Sequence, residues 1–146
     1  MIGRRLAHEA KQGVVMAYTP ILTAVTTDPT LGTGSSSIGY YSLVGTTVTA
    51  WATIEFGTSS AAGSGELRFS LPLPATAPYG ADGFPVGVAT VFTSGTGVFT
   101  IYQLFAAGND TSNCRLLLDG ATGFASGSII GDANRLSIAA TYPTTA

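Results

Sequence analysis

At 146 residues and a formal net charge of −2, the chain is long enough for one domain with a real core and too short for two comfortable ones. Charged residues make up 10% of it, against about 25% in an average soluble domain, and there are 19 glycines. A surface of Ser, Thr and Gly repels itself weakly, which favours self-association or packing into an assembly over life as a dilute monomer.

Residues 1–16 differ in kind from the rest. Arg4, Arg5 and Lys11 stand there against Glu9, so half of the six cations fall within the first eleven residues. Helix-tolerant residues run up to Gly13, with Leu6 and Ala10 on one face, but so short a helix is marginal alone and needs a surface to dock on. The expectation is an N-terminal docking arm over 1–16 and one domain over 17–146. Arg68, Arg115 and Arg135 face seven carboxylates in that domain, too acidic and sparse a balance for a nucleic-acid interface.

Thr19-Pro20 opens an extended run over 21–26, and 28–37 is a turn-rich loop. A strand is predicted over 38–44, followed by a turn at Gly45-Thr46. The next strand, 47–56, alternates strictly. Val48, Ala50, Ala52, Ile54 and Phe56 face one way, and Thr47, Thr49, Trp51, Thr53 and Glu55 the other. That pattern marks a sheet packed on one side, with Trp51 the exception on its polar face and a candidate for an interface.

After a Ser/Ala/Gly loop, 66–71 alternates again with Leu67, Phe69 and Leu71 inward, until Pro72, Pro74 and Pro78 stop regular pairing. Residues 86–93 and 98–106 read as a hairpin around Ser94-Gly95-Thr96-Gly97. Val86, Val88, Phe92, Phe99, Ile101 and Phe105 make both of its faces apolar, so one face should meet the core and the other a neighbouring chain, and with Trp51 they are the candidates for that interface. A polar turn over 108–113, a short strand over 114–118, a loop, and a last strand over 135–142 complete the chain. About eight short antiparallel strands separated by Gly/Pro/Ser loops predict an all-β fold, a two-sheet β-sandwich of jelly-roll type.

Catalytic chemistry is hard to assemble from these residues. The one histidine, His8, is in the arm, and the one cysteine, Cys114, excludes an intrachain disulfide and a cysteine metal cluster. No Gly-x-Ser-x-Gly elbow, phosphate loop or calcium-loop spacing occurs. Glu55 and Glu66 are the one carboxylate pair that adjacent strands could bring together, and both sit at outward or loop-proximal positions. No run of about 20 apolar residues crosses a membrane. No enzyme activity, cofactor or metal is expected. Tyr40, Tyr41, Trp51, Tyr79 and Tyr102 could stack on sugar rings, or fill the core and the interfaces.

The stretches Tyr18-Thr-Pro20, Pro29-Thr-Leu-Gly32, Gly39-Tyr-Tyr41, Phe56-Gly-Thr-Ser59, Gly63-Ser-Gly65 and Ser70-Leu-Pro-Leu-Pro-Ala75 carry a resemblance. Over residues 17–75 the chain resembles a β-rich module of tailed-bacteriophage virion proteins, met in tail-fibre ends, minor tail proteins and head-decoration or head-fibre proteins of actinobacteriophages. The resemblance implies a homotrimeric virion structural part. With a short basic arm in place of a fibre shaft, it implies a capsid decoration protein on the capsid exterior. Its partners would be itself and the major capsid protein, gripped by Arg4, Arg5, Leu6 and Lys11. The alternative it leaves open is a tail-tip protein binding a host glycan through Tyr40, Tyr41 and Tyr79.

Overall fold

The computed structural model of the chain describes residues 13–76, 85–107, 110–118 and 123–145. Among these residues nine strands are present: β1 (Val15–Tyr18), β2 (Leu22–Ala24), β3 (Ser36–Val44), β4 (Thr47–Glu55), β5 (Leu67–Ser70), β6 (Pro85–Thr93), β7 (Val98–Ala107), β8 (Asp110–Leu118) and β9 (Arg135–Pro143). Every pairing is antiparallel. One 3-10 turn, Gly127–Ile129, is the only helical element among the described residues. The arm residues Arg4, Arg5, Leu6 and Lys11, and Tyr79, lie outside the described residues.

The all-β expectation holds, with two differences of architecture. The described residues hold nine strands where about eight were expected, and one hydrogen-bonded ladder runs through all of them in the order β1-β3-β4-β9-β6-β7-β8-β5-β2. The sheet curls into a half-barrel. Within it β6, β7 and β8 form a meander and β5 returns beside β8, which is a Greek-key arrangement.

The two ends of this sheet are consecutive in sequence. Residues 15–18 pair with β3, and after Pro20 residues 22–24 pair with β5. A single bent stretch therefore serves both edges. Pro20 is fully buried at the crossing, a point where a missing N–H costs no ladder bond. Beyond it the Ile21 N–H donates to Ser70 Oγ at 2.8 Å and the Ser70 N–H donates to the Ile21 carbonyl at 2.9 Å. Pairing thus starts at Val15, two residues before the expected domain start. The exposed apolar run at 14–17 lacks the alternation that reveals a half-buried strand.

The core follows the alternation. Val48, Ala50, Ala52, Ile54 and Phe56 are all buried, as are Leu67, Phe69 and Leu71, and Leu136, Ile138, Ala140 and Tyr142. Burying each large side chain among them stabilises the fold by roughly 1.5–3 kcal/mol. Tyr142 also locks the last strand to the segment after β5. Its hydroxyl donates to the Leu73 carbonyl at 2.9 Å and accepts the Leu73 N–H at 3.4 Å.

Two strands depart from the expected reading. Residues 110–113 belong to β8, not to a turn. Asp110 accepts the Ser112 N–H and the Asn113 amide, and Arg68 pairs with it, so polar side chains decorate a strand there. In β6 a bulge between Pro85 and Gly87 reverses the alternation, putting Val86 and Val88 on opposite sides of the sheet. Gly87 makes the bulge possible, because a Cβ there would collide with the Ala139 carbonyl on β9.

Candidate interaction surface

The outward side chains of β3, β4, β9, β6 and β7 form one continuous face. The strand registers align Tyr40 on β3 with Trp51 on β4, Ala139 on β9, Val88 on β6 and Gln103 on β7. A second row runs Ile38, Thr53, Ser137, Thr90 and Ile101, and a third Ser36, Glu55, Arg135, Phe92 and Phe99. Trp51 is 42% exposed, and Phe99 and Ile101 are each 65% exposed.

Aromatic contacts stiffen this face. The Tyr40 and Trp51 rings lie 6.3 Å apart at an angle of 32°, and those of Phe92 and Phe99 lie 4.9 Å apart at 43°. The Arg135 guanidinium sits over the Phe92 ring at 5.9 Å. Thr53 and Ser137 satisfy one another across β4 and β9, with their hydroxyls 3.0 Å apart.

Of the sequence-predicted interface residues, Trp51, Val88, Phe92, Phe99 and Ile101 come together on this face. Val86 does not: the bulge turns it into the core, where it is 3% exposed. Phe105 points outward further round the sheet and packs edge-on against Phe124, 6.1 Å away. Tyr40 joins the face, whereas Tyr41 turns inward against the core and meets the Tyr18 ring edge-on at 6.0 Å. Ile38 and Ala139 belong to the face although neither stands out in the sequence. The inward phase of Tyr41 and Leu43 was the signal that sends Ile38 outward.

The wall formed by β5 and β8 is chemically different. Arg68 pairs with Glu66 at 3.4 Å and with Asp110 at 3.4 Å, and Arg115 pairs with Glu66 at 3.8 Å while stacking on Phe124 at 3.9 Å. Glu66 is thus committed to two arginines, and Glu55 lies on β4 opposite Arg135. Because β4 and β5 are not neighbours in the sheet, the two glutamates are not the adjacent-strand pair that the sequence allowed.

Other reactive groups are placed in structural roles. Cys114 is fully buried, its thiol donates to the Phe69 carbonyl at 3.4 Å, and burial pushes its pKa up to about 12, so it stays protonated. Burial also raises the hydroxyls of Tyr18 and Tyr142 well above the usual tyrosine value. Among the described residues no three of His, Cys, Asp and Glu gather as metal ligands. Comparison of the chain with family models, with curated proteins and with solved structures finds no match.

Proposed function

We propose that the chain is a bacteriophage virion structural protein, a homotrimeric capsid decoration protein that docks on the major capsid protein lattice and stabilises it. The observation that supports this reading is the broad outer sheet face, where exposed Trp51, Ile38, Val88, Phe99 and Ile101 stand among Ser and Thr, and Glu55 and Arg135, in register on neighbouring strands, are its charges among the described residues. A rigid, weakly charged body suits lateral packing within an assembly. The resemblance over residues 17–75 supplies the virion context. The Greek-key order of β5 to β8 supports the finer, two-layer jelly-roll-like description of the half-barrel, which forms part of the proposal.

In this reading Arg4, Arg5, Leu6 and Lys11 grip an acidic outer shell, and each docked trimer adds buried area at capsomer junctions. Binding that favours the assembled lattice over its dissociated state stabilises it by mass action. Electron cryo-microscopy of virions with and without the protein tests the placement. Extra density at capsomer centres or three-fold junctions is expected; density confined to the tail end would overturn the decoration reading.

One observation favours a second reading. Tyr40 and Trp51 present two neighbouring exposed rings, a platform on which a sugar ring can stack. In that case the protein is a tail-tip or fibre component that binds a host-surface glycan. Loss of glycan binding in a folded Trp51→Ala variant would then be expected.

A further inference from the structure

We infer that the outer face of β3, β4, β9, β6 and β7 is where copies of this chain meet, with Trp51 near its centre and a second copy as its occupant. The inference rests on the self-association in the proposed function and names its surface.

Charge is segregated around the barrel. Of the eight charged side chains among the described residues, Glu66, Arg68, Asp110 and Arg115 form the ionic network of the β5–β8 wall. Among the described residues the outer face of β3, β4, β9, β6 and β7 holds only Glu55 and Arg135 as charges, opposite in sign and in register on β4 and β9, with the Arg135 guanidinium over the Phe92 ring. Because the two are opposite in sign, a second copy that covers the face meets no net charge there, whereas a border of like charges opposes association. The Thr53 and Ser137 hydroxyls already bond each other, so covering them strips no essential water.

Size and shape agree with a copy as the occupant. Five strands at about 4.8 Å spacing, each about 30 Å long, give a face of roughly 700 Å², close to the ~800 Å² per partner of a standard interface. That is about a tenth of the 7993 Å² that one chain exposes, the share such an interface takes of a small protein. Ser137, Ala139 and Thr141 on β9 form a strip of small residues between a Tyr40–Trp51 ridge and a Val88–Ile101 ridge. A ridge from one copy matches the trough of the next.

Trp51 is the only tryptophan, so its emission reports directly on this face. Sedimentation of the isolated chain at micromolar concentration should give a multiple of the 14.8 kDa chain mass, threefold for the proposed trimer. Trp51 emission should move to longer wavelength as dilution releases monomer. Ile101→Glu should raise the dissociation constant at least tenfold with the circular dichroism unchanged, whereas Thr30→Glu in the distant β2–β3 loop should not. The wild-type dilution series needs no variant, so a misfolded Ile101→Glu leaves the test intact. A monomeric wild type at tens of micromolar overturns the inference, and so does an oligomer whose Trp51 emission stays that of an exposed indole. Failure of the decoration reading is distinguishable: the isolated chain then still assembles through this face while virions lack it at capsomers.

Discussion

Asp132 shows how a single side chain holds loops together in a molecule with few charges. Its carboxylate accepts the Ser60 N–H at 3.0 Å and the Ser60 hydroxyl at 2.9 Å, while its own carbonyl accepts the Ser94 hydroxyl. Two residues on, buried Asn134 accepts the Ser94 N–H and donates to the Ile129 carbonyl. One turn thereby ties together the β4–β5 loop, the β6–β7 hairpin and the 3-10 turn. The Ser60 N–H and hydroxyl, with the Ser59 N–H, favour the ionised carboxylate and hold Asp132 below the usual aspartate value. A depressed folded-state value means that the contribution is present above the unfolded value of about 4 and is lost as pH falls through the folded one. The denaturation midpoint of Asp132→Asn should therefore lie below that of wild type near pH 7. The gap should narrow as pH falls below the unfolded value of about 4, and a gap of constant size down that acid limb would exclude the linkage.

At the scale of strands, glycine placement decides where backbones can approach. The Tyr18 ring lies over Gly39, its cross-strand partner, where any Cβ would intrude on the ring. At Gly87 the obstacle is backbone, the Ala139 carbonyl and the Ala140 Cα, which cannot swing aside. Gly87→Val should push β6 off β9 and cost about 3 kcal/mol, the upper end of overpacking penalties. Gly95, in the hairpin turn with nothing within 4 Å of a Cβ, is the control; Gly95→Ala should change the urea midpoint little. Equal midpoints for the two variants would show that the bulge relaxes freely. The same bulge marks where sequence reading stopped. Strand β4 was legible because one of its faces is buried and the other wet, so a period of two survives in its residues. In β6 one inserted residue shifted the phase, and Val86 was assigned to a surface it does not reach. Strand β1, exposed and carrying no polar alternation, is split by the expected boundary after residue 16, its first two residues falling in the arm. Sheet order was not legible at all, because the pairings of β9 with β4 and β6 join segments far apart in the chain.

For the whole molecule, the two ends of the half-barrel carry different loops. Gly13 lies against Leu43 and Val44, at the end that also carries the Gly45-Thr46 turn and, just after β9, Thr144, whose N–H donates to the Thr46 carbonyl. The opposite end carries the β2–β3 and β4–β5 loops, zipped by backbone pairs at Thr27–Ser64, Thr30–Ala61 and Thr33–Thr58. In the proposed decoration complex the first end faces the shell, since the arm joins the barrel there, and the zipped loops face outward. The described core is built from residues between Leu22 and Tyr142, so removing residues 1–13 should leave folding and self-association intact. It should abolish docking on capsids, because three of the six cations go with it. Docking by the full chain should also weaken as salt rises, with charge contacts screened beyond about 10 Å at 0.1 M and about 3 Å at 1 M. Co-sedimentation with undecorated capsids across a salt series reads both effects. A truncated chain that still decorates capsids fully, or full-chain docking indifferent to salt, would move the contact from the basic arm to the barrel end itself.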